Sequence, residues 1–227
     1  MPLVLQPLTA ADTLSWTRIR TLAYLHLGPT HDLLHSNQPI SESSIRGVAE
    51  NNARDFQNPN FWPWKVVDTE LAPSEDDPEG NGGRTIAIAL YELEKKGKGG
   101  EAEKGKEEEK RFMPPELRLD ALTALITPLR EAEKEIMGNT DRYLMLNVLA
   151  THPEHQRRGA AKMLLDVGLK RADEEGLVMY LSSSWMGRPI YEKAGFELVK
   201  ECDFDRGEWG GEGVERHGCM VRQPKKV

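Results

Sequence analysis

The 227-residue sequence has few cysteines, no long apolar run and no excess of basic residues. Its two cysteines, Cys202 and Cys219, are too few for a disulfide framework and suggest reduced thiols. No window approaches about 18 uncharged apolar residues, and no basic N-terminal region precedes a long apolar core. Membrane spanning and secretion are therefore disfavoured, and the expected location is cytoplasmic. A net charge of −7 argues against a surface that coats nucleic acid, because polyanion binding needs a broad positive field.

What is present is an ordinary globular composition. Hydrophobic residues make up 38% and charged residues 30% of the chain, which suffices for one domain over residues 1–227 with a normal core. Residues 94–112 interrupt it with mostly Glu, Lys and Gly, which cannot bury enough apolar surface to offset the entropy of ordering. We expect a disordered surface insertion there, with docking of a charged partner as the other interpretation.

Apolar periodicity predicts the elements of the fold. In the first half we expect a helix over residues 10–27, two helical pieces within 31–57, strands at 64–68 and 84–94, and a helix over 115–137 that Pro128 should kink or split. The second half alternates strand and helix, with a strand at 143–150, a helix at 160–175, a strand at 177–182, a short helix at 187–195 and a strand at 196–204. Residues 217–223 can close the sheet as an antiparallel strand.

A basic turn joins the strand at 143–150 to the next helix. Helix starts favour Asp and Glu, because their unpaired backbone N–H groups carry partial positive charge, yet this one has Arg157, Arg158 and Lys162. An anion bound to those N–H groups would reverse the sign of these interactions. The small residues that follow let a phosphate approach closely, whereas the P-loop and GxGxxG patterns are absent. The turn therefore predicts a pyrophosphate site without an obligate metal, the alternative being a solvated basic helix start.

The sequence Gln156-Arg157-Arg158-Gly159-Ala160-Ala161 resembles the Q/R-x-x-G-x-G/A signature of the GCN5-related N-acetyltransferase (GNAT) superfamily, with Ala in the final small position. The segment "RPIYEKAGF" is similar to the tyrosine-bearing motif of the same family. The stretch "NVLATHPEHQRRGAAKMLL" looks particularly like fungal members. The matching region, residues 143–199, covers about a quarter of the chain.

The resemblance implies an α+β fold: a mixed, mostly antiparallel central sheet with helices on both faces, splayed where the pantetheine arm of acetyl-CoA inserts. It assigns pantetheine contacts to the backbone near Val148, Leu149 and Ala150. It assigns pyrophosphate contacts to the turn, namely Gln156, Arg157, Arg158, Gly159, Ala160, Ala161 and Lys162. By position, Tyr191 would donate a hydrogen bond or a proton to the departing thiolate, with packing as its other interpretation.

The activity that the resemblance implies is acetyl-CoA-dependent N-acetylation of a primary amine, most simply of a small molecule, by direct transfer in a ternary complex. A protein or peptide amine as acceptor and a non-catalytic CoA-binding module are the alternatives. No metal and no nucleic-acid or membrane partner is expected, and the oligomeric state is open. Trp62 and Trp64 suggest aromatic walls for the acceptor pocket.

The general base is not identified by the sequence. An amine with a pKa near 10 must lose a proton before it attacks the thioester, and His152, Asp141 and Glu92 are equally weak candidates. Two polar groups have ambiguous roles. The serines at 182–184 could contact a polar ligand or be solvated, and His31 and His35 have the spacing of a two-histidine metal site but no apparent third ligand. Nucleophilic catalysis lacks support, since only His217 and Cys219 bring a histidine near a cysteine.

Overall fold

The computed structural model describes residues 2–36, 39–95 and 111–225. Within these residues the chain forms seven β-strands and six α-helices. The strands are β1 (Leu3–Pro7), β2 (Phe61–Asp68), β3 (Arg84–Lys95), β4 (Arg142–Thr151), β5 (Val178–Ser184), β6 (Glu197–Asp205) and β7 (Val214–Arg222). The helices are α1 (Thr13–His26), α2 (Pro29–Leu33), α3 (Glu42–Asp55), α4 (Leu119–Met137), α5 (Ala160–Glu175) and α6 (Arg188–Lys193). Short 3-10 turns lie at Ala10–Asp12, Pro153–His155 and Arg206–Trp209.

All seven strands lie in one sheet with the order β1-β2-β3-β4-β5-β7-β6. Every neighbouring pair is antiparallel except β4 and β5, which run parallel. This confirms the expected mixed, mostly antiparallel sheet. The predicted closing strand is β7, which lies between β5 and β6.

Helices cover both faces of the sheet, as expected. Helix α5 packs on one face through the largest apolar cluster, which includes Leu144, Leu164 and Met179. Helices α1 and α4 cover the other face, where Trp16 of α1 contacts the cluster of Val148 and α4 packs over the buried ring of Tyr180. We call these the α5 face and the α1 face. Among the residues that the structure describes, no helix is both long and apolar enough to cross a membrane.

The central sheet is splayed between β4 and β5. Their parallel ladder joins only residues 143–146 of β4 to residues 178–181 of β5, although both strands continue further. A bulge in β4 coincides with the separation, because Tyr91 pairs with Leu146 while Leu90 pairs with Val148, which leaves Asn147 as the extra residue. We call the gap between residues 147–151 and residues 182–184 the β4–β5 opening.

The structure corrects several predicted boundaries. Strand β1 was not predicted, since five residues at an edge carry little pattern. The expected split of the helix at Pro128 is wrong, because α4 continues through the proline. The buried residues Ala121, Leu125 and Ala132 pack on both sides of Pro128, and such tertiary contacts outweigh the local cost of one missing hydrogen bond.

The predicted charged insertion at 94–112 is wrong at both of its ends. Glu94 and Lys95 complete β3. At the other end of the predicted insertion, the backbone N–H of Phe112 donates to Asn51 Oδ1 at 3.1 Å. The ring of Phe112 packs so closely on α3 that a Cβ added at Gly47 would overlap it. Residues 96–110, where most of the insertion falls, lie outside the described residues.

Candidate active site

The β4–β5 opening exposes backbone groups rather than side chains. Along a strand, backbone groups point alternately toward the two neighbouring strands, so half of those in residues 147–151 bond to β3 and the other half face the opening. Val148, Leu149 and Ala150 lie on this stretch, while the side chains of Val148 and Ala150 are buried against α1. Strand edges without a partner can pair with the amide groups of an extended ligand.

The basic turn lies where β4 leads into α5. Its backbone adopts left-handed conformations at Arg157, with φ of 63°, and at Gly159, with φ of 89°. Gly159 is the N-cap of α5 and supplies no side-chain cap. The first three helical N–H groups have no partner within the helix, whose first hydrogen bond runs from Met163 N–H to Gly159 O. An uncapped helix start of this kind suits a bound anion.

Two of the three basic side chains of the turn, those of Arg158 and Lys162, are already engaged, which the sequence did not reveal. Arg158 forms an ion pair of 2.5 Å with the buried Asp68 at the end of β2, and Lys162 bonds to Asp166 at 2.6 Å on the solvent side of α5. Although burial opposes it, the Arg158 guanidinium holds the pKa of Asp68 below its usual range. Arg158 therefore ties the turn to the sheet, and the backbone N–H groups remain the donors available to an anion.

A cluster beside the turn could hold a metal ion by distance alone. One ligand atom each from His152, Glu154 and His155 lies within 4.8 Å of the others, a grouping not found elsewhere among the described residues. However, Arg84 and Arg158 both lie close enough to His155 to lower its pKa, after the larger effect of burial. These positive charges oppose a bound cation. His152 Nδ1 instead accepts the Glu154 N–H at 3.3 Å, so it caps the turn.

Tyr191 lies on α6, close to both β3 and α1. Its ring packs edge-on against Phe196, with ring centroids 5.9 Å apart. Burial raises the pKa of Tyr191, and the nearby Tyr24 of α1 raises it further. A phenol in this environment is a weaker acid than free tyrosine. Hydrogen bonding to a leaving thiolate therefore fits Tyr191 better than full proton donation.

Of the three serines at the end of β5, two form hydrogen bonds within the protein and one is exposed. Ser183 Oγ donates to the carbonyl of Ser184 at 2.7 Å. Ser184 Oγ accepts the N–H of Gly187 at 3.3 Å and so closes the turn before α6. Ser182 is exposed on the part of β5 that borders the opening, so it is the one of the three that stays a ligand-contact prediction.

A group of carboxyls lies on the α1 face next to the opening. Glu92 Oε2 accepts a hydrogen bond of 2.7 Å from Asn147 Nδ2, the side chain of the bulge residue. Glu94 is two residues further along β3 on the same face, and Glu133 approaches from α4, where it accepts a hydrogen bond of 2.7 Å from Tyr143. Burial, followed by repulsion from Glu92 and Glu133, raises the pKa of Glu94 to about 7. Burial also raises the pKa of Glu92.

Of the three candidate bases, the structure favours Glu92 by position. Asp141 precedes β4 at the end opposite to the opening, about 20 Å of strand from Asn147. His152 follows β4 and caps the Pro153–His155 turn, which lies on the path from β4 to α5. The period-two placement of Glu92 and Glu94 on a strand is the sequence signal that would have singled them out.

A second polar group on the α1 face was missed by the sequence. His31 of α2 is half-buried and His217 of β7 is buried, and both lie close to Glu215, with His217 Nε2 at 3.7 Å from Glu215 Oε1. Burial lowers the pKa of His31 to about 4 and also lowers that of His217. Within the described part of the chain, His217 Nδ1 is buried without a hydrogen-bond partner. A surface depression of about 260 Å³ borders Glu215.

The other predicted pairings of these histidines do not hold. His35 Nδ1 lies 3.1 Å from the backbone carbonyl of His31, so the two histidines pack along one helix turn and do not converge on a metal. Cys219 is fully buried beside Cys202, and both are free thiols with their sulfurs 3.9 Å apart. Burial raises the pKa of Cys202 to about 11, which is unsuited to nucleophilic catalysis.

The tryptophans expected to line the acceptor pocket lie on the opposite face. Trp62 and Trp64 pack against the α5 cluster. The ring of Trp62 lies 5.7 Å from that of Tyr91, and the Arg171 guanidinium covers it at 4.6 Å. Because β2 alternates, its even-numbered positions here point toward α5, so these rings lie on the face opposite to Glu92 and Glu94, and their role in an acceptor pocket stays a prediction.

The profile of the acetyltransferase (GNAT) domain family matches residues 124–208, which run from α4 to the Arg206–Trp209 turn and include both the β4–β5 opening and the basic turn. The chain contains a GNAT-type acetyltransferase domain. A search of curated protein sequences finds no match.

Solved structures share the GNAT fold over nearly the whole chain. An acetyltransferase from Corynebacterium glutamicum, described with histone acetyltransferase HPA2, is 17% identical with a TM-score of 0.59 and covers 100% of this chain and 99% of its own. The Drosophila melanogaster polyamine N-acetyltransferase, which forms N-acetylagmatine, is 11% identical with a TM-score of 0.60 and coverages of 97% and 99%. Arabidopsis thaliana NAA60 with a bisubstrate analogue is 12% identical with a TM-score of 0.54 and coverages of 99% and 99%. At these identities the likeness establishes the fold.

Proposed function

We propose that this GNAT domain is an acetyl-CoA-dependent N-acetyltransferase that transfers the acetyl group directly to a primary amine of a small molecule. The observation that carries the proposal is that the β4–β5 opening leads to the uncapped start of α5. About 16 Å of strand with unpaired backbone groups is thereby continuous with an anion-binding helix start. An extended amide-bearing arm that ends in a pyrophosphate matches both features at once.

The resemblance in sequence assigns the residues that would hold acetyl-CoA, and this geometry supports the assignment. The backbone of Val148, Leu149 and Ala150 would pair with the pantetheine amides. The turn would hold the pyrophosphate mainly through backbone N–H groups, and its members are Gln156, Arg157, Arg158, Gly159, Ala160, Ala161 and Lys162. The cofactor supplies a thioester as acetyl donor, and no metal is required. Backbone N–H groups at the opening would stabilise the oxyanion, and Tyr191 would donate a hydrogen bond to the departing thiolate.

A small amine is favoured as acceptor over a peptide. Helices α1 and α4 cover much of the α1 face, where a small amine needs less open surface than a peptide does. One structural relative acts on a polyamine, whereas NAA60 has a bisubstrate analogue bound. The half-buried carboxyls of Glu92 and Glu94 favour an enzyme over a CoA-binding module, because raised carboxyl pKa values suit proton transfer. A cytoplasmic location and a fungal source stay predictions.

Calorimetric titration with acetyl-CoA tests the cofactor site. We expect saturable binding by the unsubstituted protein and a loss of at least tenfold in affinity for Ala161→Glu, whose carboxylate would repel the pyrophosphate while favouring the helix start. Lys170→Gln, an exposed change near the far end of α5, makes the net charge more negative by the same one unit and should bind normally. Absence of binding by the unsubstituted protein at millimolar acetyl-CoA contradicts the assignment.

Thiol release from acetyl-CoA with a panel of small primary amines and N-terminal peptides then distinguishes the acceptor classes. Tyr191→Phe serves as the variant that separates binding from turnover. It should bind acetyl-CoA normally and release thiol at least tenfold more slowly. Release with peptides alone would overturn the small-amine assignment, and a lack of release with every acceptor would indicate a binding module.

A further inference from the structure

We propose that Glu92, held by Asn147 and paired with Glu94, is the general base that removes a proton from the acceptor amine. This assignment rests on the proposed N-acetyltransferase function and names a residue of the same site. It places proton removal on β3, one strand away from the residues that line the β4–β5 opening.

The position of Glu92 is set by the bulge in β4. Asn147 is the extra residue of that bulge and the first residue of β4 beyond the ladder with β5. Its side-chain amide donates to Glu92 Oε2 at 2.7 Å. The carboxylate is therefore oriented by the same residue at which the sheet opens, and its two oxygens have more acceptor sites than the bonds from Asn147 and Glu94 use.

The ionisation of Glu92 is set by its neighbours from every adjoining element. On β3, Glu94 lies within hydrogen-bonding reach, and its pKa of about 7 keeps it largely protonated below neutrality, when it donates to Glu92. Glu133 faces the pair from α4, with Tyr143 of β4 bonded to it. The two hydrogen bonds that Glu92 accepts favour its charged form against burial.

The pair also lacks a neutralising cation. Among the described residues no basic side chain forms an ion pair with Glu92 or Glu94. A half-buried carboxylate without a cationic partner attracts a positively charged ligand. The acceptor reaches the site as an ammonium ion, so the same carboxylate that binds it can also deprotonate it.

The proton balance requires one base and one acid. The acceptor ammonium gives a first proton to Glu92, and its lone pair then forms the C–N bond to the thioester carbonyl carbon. The tetrahedral intermediate collapses with cleavage of the C–S bond. The second nitrogen proton passes through solvent to the departing thiolate, to which Tyr191 donates a hydrogen bond, and Glu92 returns the first proton to solvent.

The competing base on this face is His217. Its Nδ1 is buried without a partner in the described part of the chain, and its lowered pKa keeps it neutral and able to accept a proton. However, His217 lies on β7, which is separated from β4 by β5. Glu92 contacts β4 directly, so the geometry favours it.

Glu92→Gln tests the proposal, because it keeps the shape and the contact with Asn147 but cannot accept the proton. With the best amine of the panel we expect unchanged acetyl-CoA affinity and a fall in kcat/KM of about 100-fold or more at pH 7. The variant's kcat/KM should then rise about tenfold per pH unit toward the amine pKa. Glu131→Gln, an exposed change on α4, is the matched control and should behave like the unsubstituted protein.

A weakly basic acceptor supplies the decisive readout. Trifluoroethylamine is largely unprotonated at neutral pH, so the defect of Glu92→Gln should shrink to a few fold with it. A structural defect would persist with both amines. Glu92 is not the base if Glu92→Gln leaves kcat/KM unchanged, or if the dependence of kcat/KM on a deprotonated group is lost only in His217→Gln. In both cases the proposed transferase activity stands. Absence of thiol release by the unsubstituted protein with every acceptor overturns the proposed function, and the base assignment with it.

Discussion

Two groups of carboxyls, those at the ends of α5 and those of β3 beside the opening, differ in how their charge is compensated. On the α5 face, carboxylates at both ends of α5 are paired with arginines: Asp68 with Arg158, and Asp173 with Arg222. On the α1 face, the carboxyls of Glu92 and Glu94 contact each other and an asparagine and have no cationic partner among the described residues.

This difference separates charges that hold the fold from charges that are available for chemistry. Hydrogen bonding to Arg222 lowers the pKa of Asp173, whereas burial and neighbouring carboxyls raise that of Glu94. A paired carboxylate stabilises the folded state at neutral pH, and a carboxyl with a raised pKa destabilises it. The pairs at the ends of α5 therefore hold the fold together, and Glu92 and Glu94 are the carboxyls that we propose for proton transfer.

The largest expected effect comes from breaking the pair on the α5 face. Asp173 accepts two hydrogen bonds of 2.8 Å from Arg222, whose side chain is only 3% exposed. Asp173→Ala leaves that guanidinium buried without its partner and should lower the free energy of unfolding by about 3 to 5 kcal/mol at pH 7. Urea denaturation measures the loss.

The pH dependence of that loss has a defined sign. The folded-state pKa of Asp173 is below 3.8, so its contribution is complete above that value and disappears as the pH falls through the folded pKa. Asp166→Ala removes the exposed pair with Lys162 on the same helix and should cost about 0.5 kcal/mol. Equal losses in the two variants would contradict the distinction between the buried and the exposed pair.

A smaller effect is expected from overpacking the apolar centre of the α5 face. A Cβ at Gly168 would lie 2.3 Å from the ring of Tyr91, which is fully buried and held by a hydrogen bond of 2.8 Å to the carbonyl of Leu164. Overpacking costs about 1 to 3 kcal/mol, against a gain of up to about 1 kcal/mol in helix propensity. We therefore expect Gly168→Ala to lose about 1 to 2 kcal/mol in urea denaturation.

A double-mutant cycle tests whether the Tyr91 ring causes the loss of stability in Gly168→Ala. Tyr91→Phe frees the ring from the helix carbonyl, so the double variant should lose less than the sum of the single variants. Simple additivity would show that the ring does not resist the added methyl group.

The sequence predicted the α5 face much better than the α1 face. The strand at 143–150, the helix at 160–175 and the turn between them follow from local patterns, namely a continuous apolar run, helical spacing and small residues at the helix start. These elements are consecutive in the chain. Their roles in binding acetyl-CoA stay predictions.

The α1 face depends on contacts between distant segments. His31 and His217 are brought together by packing of α2 over β7, and Asn147 meets Glu92 only because of the bulge. The partner of Arg158 is 90 residues away in the chain, so its structural role could not be read from the turn. A side chain's local pattern identifies its element, but its partner requires the sheet register.

The smallest and most diagnostic effect concerns Glu94 on the α1 face. Its folded pKa of about 7 exceeds the usual 4.5, so the folded state holds a proton that the unfolded state releases, and stability falls as the pH rises from 4.5 to 7. Because the carboxyl is half exposed, solvent reduces this cost to about 1 kcal/mol. Glu94→Gln should thus match the unsubstituted protein at pH 4.5 and exceed its free energy of unfolding by about 1 kcal/mol at pH 8. Glu131→Gln should show no such pH dependence, and an equal slope in both variants would mean that the surroundings of Glu94 do not raise its pKa.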